Sequence, residues 1–153
     1  MRWSELSMGR VFGLSLETGD ELVSSLLTFC SERGVRQGYV PMFIAGLREA
    51  KLVGTCERIE DPTAPVWDSV HLENVEAIGC GTLATIPETG ELTAHIHVSV
   101  GLKGHSATAY TSHLLSAQVL FLTEFFITEV SAPAMARRKD AAQHDVPLLH
   151  YDA

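Results

Sequence analysis

Three cysteines, Cys30, Cys56 and Cys80, are widely spaced with no C-x-x-C pair, which excludes a thiolate zinc knuckle and a disulfide framework. They are expected to be reduced and structural. No apolar run approaches the roughly 18 residues of a membrane-spanning helix. The longest, Val119 to Val130, is interrupted by Thr123, Glu124, Thr128 and Glu129, so no membrane partner is expected. The start lacks the continuous apolar stretch of a signal peptide, since Arg2, Ser4, Glu5, Ser7, Gly9 and Arg10 interrupt it and Glu17, Gly19, Asp20 and Glu21 follow. A cytoplasmic protein of bacterial type is the expectation.

Positive charge is also scarce. Lys and Arg total 11 against 19 Asp and Glu, a formal charge of -8. This opposes nonspecific attraction to nucleic acid, where neutralising phosphates supplies most of the affinity. The one basic cluster, Arg137-Arg138-Lys139, lies among Ala, Pro, Ser and Asp and reads as a solvated tail. No helix-turn-helix signature, Arg-Gly-Arg-Pro hook, phosphate loop, nucleophile motif or internal repeat is evident. The 153 residues, 46% of them hydrophobic, suit one globular domain.

The chemistry that is present lies in Thr93-Ala94-His95-Ile96-His97-Val98-Ser99-Val100. Side chains of an extended chain alternate faces, so His95 and His97 point the same way, while Ala94, Ile96, Val98 and Val100 form the apolar parity of a strand packed on a core. Two imidazoles so aimed are either partly exposed polar residues of a sheet or two ligands of a metal site. His105 and His113, reached after the chain turns at Gly101 to Gly104, are the candidates for a third ligand; no pattern directs His71, His144 or His150 there.

The remaining pattern predicts the surroundings. Phe12, Leu14 and Leu16 share one face of a first strand, Arg10 to Leu16. Thr18-Gly19-Asp20-Glu21 has capping-box spacing, predicting a helix from here with Leu22, Leu26, Phe29 and Cys30 as its apolar stripe and Gly34 as its left-handed end. Gly38 to Thr55, broken by Pro41 and Gly46, predicts two strands joined by a bend, and Glu57 to Ser69 a loop. Glu76 to Ile86 and Glu91 to Gly101 flank the turn residues Pro87-Glu88-Thr89-Gly90 as an antiparallel hairpin. Val119 to Val130 is read as a strand for its β-branched and aromatic content.

Taken together, the helix ending Cys30-Ser31-Glu32-Arg33-Gly34, the Ala45-Gly46-Leu47-Arg48-Glu49-Ala50 stretch, the His95-Ile96-His97 strand, and His113-Leu114-Leu115 followed by Thr123-Glu124 resemble the plants-and-prokaryotes-conserved (PPC) domain over about residues 8 to 150. The resemblance implies a single α/β (α+β) domain with a mixed, mostly antiparallel sheet and one long helix, short termini at 1–7 and 151–153, and assembly as a homotrimer. It also implies zinc or another divalent metal held by His95, His97 and His113, the last from a turn, with room for a small ligand. The family's alternative description is a DNA-binding or transcription-associated regulator, here lacking the hook. The family's turn carries two glycines where this chain has Thr111 and Ser112, so a backbone that needs positive φ would displace His113. Glu124, in so apolar a run, is expected to need a partner: an arginine or backbone group at a subunit contact, or a neighbour of the metal. Arg48 and Glu49 are expected to serve solvated or intersubunit roles.

Overall fold

The computed structural model describes residues 3–56, 67–141 and 145–152. In chain order it runs β1 (Ser7–Glu17), α1 (Leu22–Glu32), β2 (Gly38–Cys56), β3 (Trp67–Thr85), β4 (Leu92–Gly101), β5 (Ala109–Ala132), β6 (Ala134–Asp140) and β7 (Val146–Asp152). β2 pairs β3, β3 pairs β4, β4 pairs β5 and β5 pairs β2, all antiparallel, so four strands close on themselves as a barrel. β1 adds to β5, and the β6–β7 hairpin attaches through a parallel bridge between Thr85 and Ala136. The fold is therefore dominated by antiparallel sheet, and the one helix among the described residues spans 11 residues, about three turns, rather than being long. No helix among the described residues is long and apolar enough to cross a membrane.

Inward parity fills the barrel. Phe43, Leu47, Leu83, Ile96, Val98, Val100, Val119, Phe125 and Ile127 are buried together with Leu22, Leu26 and Cys30 of the helix. Each large apolar side chain so buried contributes about 1.5–3 kcal/mol. The helix packs on β4 and β5. Its end is as predicted, with Gly34 at φ +68 following the Arg33 cap. Its start is not. The N-cap is Glu21, whose carboxylate accepts from Ser24 N at 2.6 Å and from Ala117 N at 3.2 Å. Thr18 instead uses its hydroxyl on the backbone of Phe121, accepting from its N–H at 2.8 Å. A long-range partner at a bulge of β5, where Phe121 has φ 73, replaced the local box.

Pro41 and Gly46 do not divide β2. The register with β3 slips between Val40 and Phe43, so exposed Pro41 occupies a bulge where its missing N–H is not demanded by the ladder. Gly46 marks close backbone approach, since a Cβ there would meet Leu120 O at 2.5 Å. The predicted hairpin forms, with β3 starting earlier, at Trp67, than expected; of the loop predicted over 57 to 69, residues 57–66 lie outside the described residues. Val119 to Val130 is strand, within β5. The basic cluster is no tail: Arg137 is buried within β6, and Arg138 is paired with Asp152 of β7.

Candidate metal centre

β4 exposes His95 and His97 on the outer side of the barrel while Ile96 and Val98 point into the core. β5 delivers His113 directly opposite His97 in the β4–β5 register. The expected turn is absent: Thr111 and Ser112 are already in the strand, opposite Ser99 and Val98, and neither has positive φ. Extended backbone accommodates a Cβ at both positions, which is why the missing glycines do no harm.

The three rings converge. Their centroids are 5.1 Å apart for His95 and His97, 4.8 Å for His95 and His113, and 5.6 Å for His97 and His113. One nitrogen from each lies within 4.8 Å of the others. Tetrahedral zinc, with Zn–N of about 2.0–2.1 Å, separates its nitrogens by about 3.3 Å, a closure within reach of imidazole rotation. Among the described residues, Nδ1 of half-buried His113 has no hydrogen-bond partner. His105 stays in the turn between β4 and β5, and His71 is exposed, 3.9 Å from Glu73. His150 is on β7, and His144 lies outside the described residues. The donor set thus fits a metal with three neutral imidazoles and an open position.

The electrostatics favour that state. Although His95 is exposed as a residue, desolvation of its ring by the side chains packed around it, then Arg137 and the other two histidines, press its pKa down to about 4. Burial, His97 and Arg137 lower that of His113. Both imidazoles are consequently neutral near pH 7, the form that ligates.

Arg137 was not anticipated at this site. It reaches the cluster through Thr82, which lies opposite His95 on β3 and accepts a hydrogen bond from the guanidinium. Tyr39 lies opposite Thr82 on β2, and its hydroxyl is 2.7 Å from that of Tyr151. Cys80, an exposed free thiol, lies opposite His97. Counting back along β3 from the predicted hairpin would have found Thr82 and Cys80. Arg137 had a weaker signal, the apolar Met135 and Ala136 before it. Glu124 is exposed, opposite Ile44 of β2 and Ser15 of β1 rather than beside the histidines, so it needs no buried partner within the chain. Arg48 and Glu49 are exposed as well.

Fold and site together define a small antiparallel barrel carrying three convergent imidazoles on its outer face. The model of the Plants and Prokaryotes Conserved (PCC) domain matches residues 4–131, and the chain belongs to that family. Its structure is similar to that of a PPC protein from Pyrococcus horikoshii, with 21% identity, a TM-score of 0.82 and coverage of 100% of this chain and 99% of that one. A metal-containing protein from Archaeoglobus fulgidus is 27% identical, with a TM-score of 0.79 over 97% of this chain and 98% of that one. A candidate DNA-binding protein from Bacteroides thetaiotaomicron is 21% identical, with a TM-score of 0.75 over 95% and 97% of the two chains. No protein of curated function matches the sequence.

Proposed function

We propose that this chain is a single-domain, cytoplasmic, homotrimeric metal protein in which His95, His97 and His113 hold zinc or a similar divalent ion and leave one position for a small ligand. The convergence of three imidazole nitrogens to within 4.8 Å carries the reading, supported by the metal-containing relative from Archaeoglobus fulgidus. Bound there, zinc would supply a Lewis acid with an open coordination position. The experiment is metal analysis of protein purified without added metal. About one zinc-like ion per chain is expected, lost in His97→Ala; absence of metal from the unaltered protein overturns the reading.

The trimer draws support from the outer face of the sheet. Val11, Met42, Ile44, Ile78 and Phe126 are exposed on β1, β2, β3 and β5, with Ile44 opposite Ile78 and Met42 opposite Phe126. Contiguous exposed apolar side chains of this kind mark an association surface. Sedimentation should give three chains; a monomer contradicts the assignment.

A second reading, a DNA-associated regulator, rests on the description of the Bacteroides relative. Three of the arginines give it little: Arg10 is paired with Glu129 at 2.7 Å, Arg138 with Asp152, and Arg137 is buried. Duplex binding that weakens steeply with salt would favour this reading, and no binding at low salt would remove it.

A further inference from the structure

Arg137 is an arginine in the wrong place for a surface residue. Its relative exposure is 7%, and it is held on β6 beyond the segment 4–131 that the family model matches. One amino group donates to Thr82, and among the described residues the buried Nε has no hydrogen-bond partner. A guanidinium stays charged when buried, and a buried charge with unfilled donors is strongly unfavourable unless an anion completes it. The nearby phenols do not serve: burial and the bond to Tyr151 hold Tyr39 neutral, with its pKa raised to about 12.

The position of this charge indicates what it is for. Thr82, its hydrogen-bond partner, is the cross-strand neighbour of His95, so the guanidinium lies beside the three-histidine cluster on the same face. Its charge is felt at both His95 and His113. A cation placed beside prospective metal ligands weakens metal binding by repulsion, so it opposes a purely structural ion. It suits a site whose occupant carries negative charge.

We propose that Arg137 is the anion-recognition residue of this site and holds the carboxylate of a small organic acid bound at the three-histidine centre. The planar guanidinium, oriented by Thr82 through one amino group, offers the directional donors that a carboxylate accepts. Thr82 is the positioning residue for Arg137. The proposal rests on the metal reading above for the second point of attachment, while the recognition of the anion by Arg137 is separately measurable.

The test uses the full-length protein loaded with cobalt(II) in place of zinc, and acetate as the probe. Addition of acetate should change the visible cobalt spectrum with a saturable dependence. In Arg137→Met the cobalt content should be unchanged and the acetate dissociation constant raised at least tenfold; Arg137→Lys should recover only part of the loss. Thr82→Val, which keeps the charge but frees the guanidinium, should raise the constant several-fold and serves where Arg137→Met fails to fold. Equal acetate affinity in all these cobalt proteins, or no acetate response in the unaltered one, overturns the proposal. In parallel, the Nε–H resonance of Arg137 in metal-free protein is followed during acetate addition. If cobalt does not bind but this resonance shifts saturably, the metal reading fails and anion recognition by Arg137 stands; if cobalt binds and the resonance is inert to acetate with and without zinc, the proposal fails and the metal reading stands.

Discussion

Gly79→Ala tests whether the histidine strand is held by the barrel packing described above. Gly79 lies on β3 opposite Phe43 of β2 and Val98 of β4. A Cβ added there would stand 2.7 Å from the carbonyl oxygen of His97 and closer still to the Phe43 ring. The ring is fully buried and packs against Phe125 at 4.9 Å between centroids, so it has little room to retreat, and the carbonyl belongs to the strand carrying the candidate ligands. Overpacking typically costs about 1–3 kcal/mol, and with a backbone atom on one side we expect the upper end, about 3 kcal/mol. In urea, with a slope of roughly 2–3 kcal/mol/M for a chain of this size, the midpoint should fall by about 1–1.5 M at fixed protein concentration. Phe43→Ala alone should cost about 3–5 kcal/mol, and in its background Gly79→Ala should cost at least about 1 kcal/mol less than in the intact core. A Gly79→Ala midpoint within error of the parent, or strictly additive effects, would refute the packing argument.

In metal-free protein, His95 with its pKa near 4 stays neutral in the folded state while the unfolded chain takes up a proton near the ordinary histidine value of about 6.5. Between these values the unfolded state binds more protons, so stability should fall as pH drops from about 6.5 toward 4, with the lowered His113 pKa acting in the same direction. Ring resonances of His95 titrating at or above 6.5 would contradict this. Gly34→Ala places a Cβ at φ +68 and should cost about 1 kcal/mol, lowering the melting temperature by about 2–4 °C; an unchanged melt would show that the helix end does not need the left-handed residue. Burial pushes the Cys30 thiol up to about 11, so alkylation of native protein near pH 8 should modify exposed Cys80 and spare Cys30. Comparable labelling of both would mean that the helix does not seal its stripe.

What the sequence carried clearly was periodicity. Alternation in Thr93 to Val100 located the histidine strand and its outward face, and the Leu22, Leu26, Cys30 spacing located the buried side of the helix. The errors arose where a residue's partner is remote in sequence. Thr18 had an apparent local partner three residues on, but bonded to Phe121 across the sheet. Pro41 and Gly46 resembled breaks because a bulge and a close backbone approach are visible only once β2 has met β3 and β5. Thr111 and Ser112 departed from the expected glycines, and the register showed that extended backbone could bring His113 opposite His97 without them. Arg137 was the largest miss, since a triplet of basic residues in a polar composition gives no sign that one of them is buried beside a cluster whose histidines stand about 24 to 42 residues earlier in the chain.

The most direct test of the central claim is anomalous diffraction from crystals of the protein as purified, collected just above and just below the zinc edge. A peak is expected only above the edge, equidistant from one nitrogen each of His95, His97 and His113 at about 2.0–2.1 Å. Three well-ordered imidazoles with no peak between them, from protein never exposed to chelator, would contradict it.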